Sequence, residues 1–307
     1  MWLTLRRSIC YSGGAVNSRL SKTTFPAIIA PVSMRNTRPP LILLTNDDGI
    51  TSPGLRAAVR AVLPLGEPLV VAPDRQRSGA GRSMPPGSTG RVARYPLEVD
   101  GRAVVAYQVD ASPALAVLHG LLGLASRPPA LLISGINFGE NLGSDVTSSG
   151  TVGAALQGAV CGVPSMAVSL QTPKENHTKH SDDVDFAAAT HFTRLFARQM
   201  LQVTLPFDVD VLKIDLPDDA TPDTAWRLTR ASRCSGFELL PPERASLDDV
   251  ALLDYEPLSH PERAEPDSDI YAMRVERLVS VAPLSLDLTS RADFGELEAL
   301  LCGLAGH

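Results

Sequence analysis

Mostly apolar runs alternate with segments of helical periodicity through the first two thirds of the chain. The apolar runs, bounded by turn residues, predict buried strands at 41–44, 69–72, 103–109, 130–133, 165–169 and 209–214. Apolar residues at helical spacing predict helices at 54–63, 113–122, 150–161 and 183–201. This strand–helix–strand rhythm predicts the α/β class, with a mostly parallel sheet and helices on both of its faces.

The rhythm breaks after Asp218, and the rest of the chain has a different pattern. Residues 241–266 are rich in acid and proline, which predicts an exposed excursion. Other segments predict a strand at 225–230, a β pair at 269–278 and 279–286, and a last helix at 294–304. We therefore expect a domain from 41 to 307 whose C-terminal region, about 218–307, is extended and partly irregular.

The first 40 residues carry six Lys or Arg residues and no acid. That composition is typical of a transit peptide, but it also fits a disordered tail or a segment upstream of a true start at Met34. We expect one of the latter two, because Met34 stands a few residues before the first strand. No run of 18 apolar residues occurs in the sequence, so we expect no transmembrane helix and no membrane partner.

Composition narrows the classes of partner. The net charge of −6 and an aromatic content of 5% argue against stable binding of nucleic acid. The four cysteines are scattered and form no CxxC pair, which fits a reducing, cytoplasmic environment without a disulfide framework. His177 and His180 stand in a polar stretch without a third ligand, so we interpret them as part of a solvated loop.

Two adjacent carboxylates, Asp47 and Asp48, follow the first strand. Neighbouring anions repel each other, and at the mouth of a parallel sheet a shared cation relieves that repulsion. Helix capping is the alternative, but capping needs only one carboxylate, and residues 49–53 separate the pair from the predicted helix. Oxygen ligands favour Mg²⁺, Mn²⁺ or Ca²⁺ over zinc, so we expect a hard-metal site.

Two glycine-rich loops follow other strands. The first, residues 77–83, places Ser78 beside Gly79, and the second, residues 134–143, contains Asn137 and Asn141. Glycines let the backbone approach an ion or anion, and Asn137 can offer an amide oxygen to a hard cation or make a local turn. Asn141 orders its loop or contacts the anion. Three arginines in or just before the first loop are either phosphate clamps or solvated surface residues, namely Arg75, Arg77 and Arg82.

Hydroxyl residues precede the small-residue helix at 150–161. Ser149, Gly150 and Thr151 form either an anion site at a helix N-terminus or an ordinary cap. The dinucleotide fingerprint, the GxxxxGK[ST] loop and the GxSxG elbow do not occur in the sequence. These absences disfavour dinucleotide binding, P-loop chemistry and a serine hydrolase.

Several of these stretches together resemble the SurE family of stationary-phase survival proteins, which are metal-dependent 5′/3′-nucleotidases. The matching segments are 43–50, 72–79, 134–143, 149–155 and 279–284. Ser148 stands where the family usually has tyrosine, and Gln157 where it has glutamate. The resemblance implies a Rossmann-like core, a C-terminal part that exchanges between subunits, and a homodimer or homotetramer.

The resemblance also implies roles for individual residues. Metal ligands, for one divalent cation per subunit (Mg²⁺ or Mn²⁺), fall on Asp47, Asp48, Ser78 and Asn137. Substrate contacts fall on Asn46, Gly79, Asn141, Ser149, Gly150 and Thr151. Asp47 and Asp48 are also the expected catalytic residues.

We therefore expect metal-assisted hydrolysis of a nucleoside monophosphate, at the 5′ or the 3′ position, to nucleoside and phosphate. One rival is a haloacid-dehalogenase-type phosphatase with an aspartyl nucleophile, although that chemistry needs one residue between the two acids and here they are adjacent. The other rival is a nucleotide-binding protein without turnover.

Overall fold

Twelve strands and six α-helices form the part of the chain that the structure describes, and the first strand is fully buried. The computed structural model describes residues 38–177 and 179–303. Its strands are β1 Leu41–Thr45, β2 Glu67–Pro73, β3 Val92–Arg94, β4 Leu97–Val99, β5 Arg102–Val109, β6 Leu131–Phe138, β7 Ser165–Leu170, β8 Val211–Leu216, β9 Trp226–Leu228, β10 Phe237–Leu240, β11 Asp254–Pro257 and β12 Val279–Leu284. Its helices are α1 Pro53–Val62, α2 Pro113–His119, α3 Gly150–Val160, α4 Ala187–Met200, α5 Asp269–Arg274 and α6 Phe294–Gly303.

The main sheet has the strand order β3-β5-β2-β1-β6-β7-β8-β12-β9, with β4 paired to β5. The six strands from β5 to β8 are parallel to their neighbours, whereas β3 and β4 are antiparallel to β5, and β12 is antiparallel to β8. Within the parallel part the order reverses between β1 and β6, which is the switch point where open α/β sheets bind ligands. The predicted α/β class with a mostly parallel sheet is confirmed.

Each face of the sheet packs on its own pair of helices. Successive side chains of a strand point to opposite faces, so Ile42 and Leu44 of β1 join one apolar core, and Leu41 and Leu43 join the other. The first core includes α1 and α4, and the second includes α2 and α3. A strand apolar on both faces is the expected result of this burial, because helices cover the sheet twice.

Strand β6 is longer than its apolar run predicts. It continues to Phe138, so Ser134 and Asn137 lie within the strand and not in a loop after it. The pairing with β7 shifts register between these two residues. Gly135 permits that shift, because it has a φ of +125° and a Cβ atom there would lie 2.2 Å from the carbonyl oxygen of Val168.

The C-terminal region departs most from the sequence-based expectation. The predicted strand at 269–278 is wrong, since Asp269–Arg274 is helix α5, whose N-terminus is capped by Ser268. Strand β12 pairs with β8 and β9. Strands β10 and β11 form a separate antiparallel hairpin whose second strand lies inside the excursion predicted at 241–266.

Helix α4 begins at Ala187, four residues after the predicted start at 183. Helix α2 ends at His119 and continues into a π-helical turn at Gly120–Leu124. The expectations for a tail before Met34 concern residues outside the described part of the chain. Within the described residues, no helix is long and apolar enough to cross a membrane.

Candidate active site

The carboxyl ends of the parallel strands bring most of the predicted site residues to one rim. Asp47 and Asp48 leave the end of β1, and Asn137 stands near the end of β6, directly beside the switch point. Ser78 arrives from the loop after β2, and Thr151 from the first turn of α3. Hydrogen bonds link Thr151 to Asp47 and, through Gln76, Ser78 to Asp48. The backbone N–H of Phe138, next to Asn137, also donates to Asp48, so the rim is one site.

Asp47 lies against the N-terminus of α3. Its carboxyl oxygen Oδ1 accepts a short hydrogen bond from the hydroxyl of Thr151. A Cβ atom on Gly150 would lie only 2.7 Å from Asp47 Oδ2, so the glycine makes this close approach possible. The positive end of the helix therefore faces a carboxylate that is 4% exposed.

Asp48 faces the opposite side, towards β6 and the segment after β7. Its Oδ2 accepts a hydrogen bond of 3.2 Å from the backbone N–H of Phe138. Its Oδ1 lies 3.4 Å from Gln76 Nε2 and 3.3 Å from His180 Nε2. Asp48 is 2% exposed, so both adjacent carboxyl groups are buried.

Burial, and to a smaller extent the neighbouring charge of Asp48, raise the pKa of Asp47 from 3.8 to about 7. Hydrogen bonds from Thr151 lower the pKa but do not offset these two effects. Two ionised carboxyl groups in this position are therefore unfavourable without a cation beside them. A divalent ion bound between the two carboxyl groups would offset their repulsion and favour their ionised forms.

Ser78 and Asn137 add neutral oxygen donors next to the acids. Gln76 Nε2 donates to Ser78 Oγ at 2.9 Å and also approaches Asp48, which places Ser78 beside that carboxyl group. Asn137 Nδ2 donates to the carbonyl of Gly139 at 2.7 Å, so its amide oxygen is the atom left for a cation. Carboxylate, hydroxyl and amide oxygens form a donor set that suits Mg²⁺ or Mn²⁺. In the described part of the chain, no three His, Cys, Asp or Glu residues cluster as a metal group.

The first turn of α3 has the structure of a capped helix N-terminus. Ser149 Oγ accepts a hydrogen bond of 3.1 Å from the N–H of Val152, so Ser149 acts as the cap. The hydroxyl of Thr151 is engaged by Asp47. The groups that this turn presents to an anion are therefore backbone N–H groups, strengthened by the helix dipole. Gly79 lies exposed in the loop after β2, with a φ of +70°.

Two asparagines predicted to contact substrate have bonds within the protein. Asn46 is fully buried, and its side chain donates to the carbonyl of Gly49 and accepts from the N–H of Gly49. This pair of bonds closes the turn that carries the two aspartates. Asn141 Nδ2 donates to Ser169 Oγ at 2.8 Å, which fixes the second glycine-rich loop to the end of β7.

A buried ionic cluster contacts the second glycine-rich loop, residues 134–143. Lys213 Nζ donates to the carbonyl of Asn141 at 2.8 Å and pairs with Asp215 and with Asp269 Oδ2, the latter at 3.0 Å. Asp269 Oδ2 also accepts from the N–H of Gly143. All three charged side chains are fully buried. The cluster joins β8, α5 and the second glycine-rich loop. Strand β8 and helix α5 therefore help to hold this loop at the rim.

The sequence-based interpretation of His177 and His180 as a solvated loop is wrong. His180 stacks on Phe138 with ring centroids 4.8 Å apart, and its Nε2 lies near Asp48. His177 Nδ1 lies 2.8 Å from the hydroxyl of Tyr255. These partners are distant in sequence, so only the position of the histidines shortly after β7, at the same rim, could have indicated their role.

The arginines of the first loop have different environments. Arg77 lies 2.9 Å from Asp110 and 3.3 Å from Asp74, so it forms a structural ion pair at the base of the loop. Arg75 is 65% exposed and lies 3.8 Å from the same two acids. Arg82 is exposed. Arg77 therefore has a structural role that differs from both alternatives, a phosphate clamp and a solvated surface residue.

An open, mostly parallel α/β sheet with carboxylate, hydroxyl and amide oxygens at its switch point defines the class of doubly wound α/β proteins that bind a ligand at that rim. The comparisons identify the family. Residues 42–236 match the family described as Survival protein SurE. The chain belongs to the SurE family, as the resemblance of its motifs implies.

Curated relatives span nearly the whole of the described chain. A protein of Thermococcus gammatolerans, named 5′-nucleotidase SurE, is 41% identical over 271 residues, covering 85% of this chain and 96% of the relative. A protein of the same name from Methanothrix thermoacetophila is 39% identical over 274 residues, covering 85% and 98%. The identification of the chain as an enzyme of the 5′-nucleotidase group is confirmed by these relatives.

A solved structure gives the same result for the fold. The crystal structure of the SurE protein from Aquifex aeolicus superposes with a TM-score of 0.68 at 30% identity. The match covers 85% of this chain and all of the other.

Proposed function

We propose that this protein hydrolyses nucleoside 5′-monophosphates to nucleoside and phosphate with the help of one divalent cation per subunit. The observation that carries the proposal is the buried Asp47–Asp48 pair beside the N-terminus of α3. A carboxylate pair attracts a cation and the helix N-terminus attracts an anion, so metal and phosphate meet at one point. The names of the relatives supply the substrate class.

The residues present fit a hard cation. Asp47, Asp48, Ser78 Oγ and the amide oxygen of Asn137 would hold Mg²⁺ or Mn²⁺. When bound, the ion supplies charge neutralisation and Lewis-acid polarisation of a phosphoryl oxygen. Asp47 and Asp48 are therefore the proposed catalytic residues as well as the proposed ligands.

The chain's own groups bind and orient the phosphate. The backbone N–H groups of Gly150 and Thr151 would receive the anion, while Thr151 also holds Asp47 in place. Ser149 shapes this turn, because its N–H donates to the carbonyl of Asp145 and its hydroxyl caps the helix. Gly79 gives the substrate room at the open side of the site. Asn46 and Asn141 act by fixing the two loops, in accordance with their bonds to Gly49 and Ser169.

The haloacid-dehalogenase-type alternative is less compatible with this arrangement. That mechanism needs one free carboxylate as nucleophile and a second acid two residues further along the chain. Here Asp47 and Asp48 are adjacent, and Asp47 is held by the hydroxyl of Thr151. Acid quench of the enzyme during turnover, followed by mass spectrometry, separates the two: a phospho-aspartate supports the alternative, and its absence supports direct attack by water.

The position of the phosphate ester and the assembly state also belong to the proposal. We include 3′-monophosphates among the substrates to be tested, because nothing at the rim distinguishes the two positions. A homodimer or homotetramer is consistent with large apolar side chains on the excursion that are 71–93% exposed, namely Leu247, Val250, Leu252 and Leu253. Sedimentation of the full chain measures the assembly state.

The experiment that tests the function is phosphate release from AMP, with Mn²⁺ or Mg²⁺ added and with EDTA. We expect turnover that needs the metal and falls at least about a hundredfold in Asp47→Asn and Asp48→Asn. Asp223→Asn, at an exposed position outside the site, is the matched control and should retain activity. Near-normal turnover in both site variants, or tight AMP binding with no phosphate release, would contradict the proposal and favour a non-catalytic nucleotide-binding protein.

A further inference from the structure

A cavity of about 210 Å³ lies beside the carboxylate site, and the roles proposed so far do not use it. The end of β7, the turn that carries His177, the β10–β11 hairpin and α5 enclose it. Its lining residues are Glu140, Thr172, His177, Phe237, Tyr255 and Arg274, among others. The volume is small for a complete drug-sized ligand and suits one planar group.

Aromatic rings form the wall of this cavity. The planes of His177 and Tyr255 differ by 13°, and a hydrogen bond of 2.8 Å between His177 Nδ1 and the Tyr255 hydroxyl joins the two rings. Phe237 stands nearly perpendicular to both, with ring angles of 86° to His177 and 75° to Tyr255. Two flat surfaces at right angles are a shape that a planar aromatic ligand fills well.

The polar side chains of the lining are buried and incompletely paired. Glu140 is 5% exposed and Thr172 is 8% exposed. Glu140 Oε1 pairs with Arg274, but Glu140 Oε2, Thr172 Oγ1 and Arg274 Nε find no hydrogen-bond partner among the described residues. Buried polar atoms are rarely left in this state, since each costs free energy. A ligand with both donors and acceptors at its edge suits such a lining.

One side chain connects the cavity to the active site. Gln76 Nε2 donates to the backbone carbonyl of His177 at 2.6 Å and lies 3.4 Å from Asp48 Oδ1. On the other side, His177 packs on Gly139, where a Cβ atom would lie 2.6 Å from His177 Nε2. The aromatic wall is thus the next layer outward from the carboxylates, on the side away from the α3 N-terminus.

We propose that this cavity is the subsite for the base of the nucleotide, with the phosphate at the α3 turn and the base against His177, Tyr255 and Phe237. The base stacks on the aromatic wall, and one of its N–H groups donates to Glu140. The inference rests on the proposed function, because it takes the phosphate to lie beside Asp47 and Asp48.

The test compares AMP with ribose 5-phosphate, which has the same phosphate and sugar but no base. We expect kcat/KM for AMP to exceed that for ribose 5-phosphate by about tenfold, as one aromatic stacking contact supplies. Phe237→Ala should bring this ratio close to one, and Phe237→Tyr should keep it. Leu239→Ala is the matched control: it lies on the same strand, is 76% exposed and does not line the cavity, so the ratio should not change.

Binding of adenosine, measured by calorimetry with the full chain, separates the two proposals. Adenosine has no phosphate, so its binding reports on the cavity even if no phosphate ester is hydrolysed. Binding in the wild type that is lost in Phe237→Ala supports the base subsite. An unchanged AMP to ribose 5-phosphate ratio in Phe237→Ala, or no adenosine binding, overturns the subsite while phosphate release still supports the function. No phosphate release from either ester overturns the function alone.

Discussion

The carboxyl group of Asp47 and the Cα of Gly150 are in direct contact, since a Cβ atom at position 150 would stand 2.7 Å from Asp47 Oδ2 and 2.7 Å from Asp47 Cβ. This contact places the negative group of β1 at the positive end of α3. It also explains why the helix begins with glycine after the Ser149 cap.

Gly150→Ala should disrupt the site and the fold together. The added methyl group must displace the Asp47 carboxyl, and such overpacking costs roughly 1–3 kcal/mol. We expect a lower free energy of unfolding in urea and a loss of metal-dependent activity. Gly123→Ala is the matched control, because no described atom lies within 4 Å of its Cβ position. Full activity in Gly150→Ala would show that Asp47 does not need its present position.

The raised pKa of Asp47 predicts a pH dependence of stability in EDTA. Between the unfolded value of 3.8 and the folded value of about 7, the folded state keeps a proton that the unfolded state releases. Raising the pH through this window therefore destabilises the wild type. Asp47→Asn cannot ionise, so its stability relative to wild type should increase from pH 5 to pH 8 by on the order of 2 kcal/mol.

Urea unfolding of both proteins at the two pH values measures this difference. Subtracting one protein from the other removes the contributions of all other groups that titrate. A difference that stays constant with pH would show that the Asp47 pKa is not raised. Adding Mn²⁺ should stabilise the wild type at pH 8, because an ion that binds only the folded protein favours folding. Asp47→Asn lacks one proposed ligand, so its stability should change little.

His180 should position Asp48. Its Nε2 lies 3.3 Å from Asp48 Oδ1, and its ring stacks on Phe138. Removal of a group that orients a metal ligand costs about 10–100-fold in metal affinity or activity. We expect His180→Ala to weaken Mn²⁺ binding by such a factor, as measured by calorimetry. His260→Ala, at an exposed histidine, should bind Mn²⁺ as the wild type does.

Lys213→Met should unfold the protein more easily than any surface charge variant. It leaves Asp215 and Asp269 buried without their cation, and breaking a buried ion pair costs about 3–5 kcal/mol. Arg230→Met breaks an exposed pair with Asp267 and should cost less than about 1 kcal/mol. Denaturant melts of both variants test this, and equal costs would contradict a structural role for the buried cluster.

Local sequence predicted much of the core and the central acids. The strands of the parallel sheet are apolar on both faces, so continuous apolar runs in the sequence predict them. Asp47 and Asp48 follow the first of these strands. The family motifs added Ser78 and Asn137, and the structure brings both to the same rim. Gln76 bonds Ser78 and lies beside Asp48, and the N–H of Phe138, next to Asn137, donates to Asp48.

The features that the sequence did not indicate depend either on contacts between distant segments or on local signals that are weak or misleading. His180 reaches Asp48 across 132 positions, a contact that no local period marks. The segment after Ser268 favours a strand by its sequence although Ser268 caps a helix, because a helix of six residues is too short to show a helical period. The continuation of β6 to Phe138 was hidden by Gly135, which normally marks a loop.

The most direct test of the central claim is a crystal of the full chain soaked in Mn²⁺, with anomalous scattering measured at the manganese edge. The account predicts one peak per subunit, with oxygen atoms of Asp47, Asp48, Ser78 and Asn137 about 2.0–2.4 Å from the ion, as hard cations require. Density elsewhere, or no peak at the rim while the two carboxyl groups point apart, would contradict it.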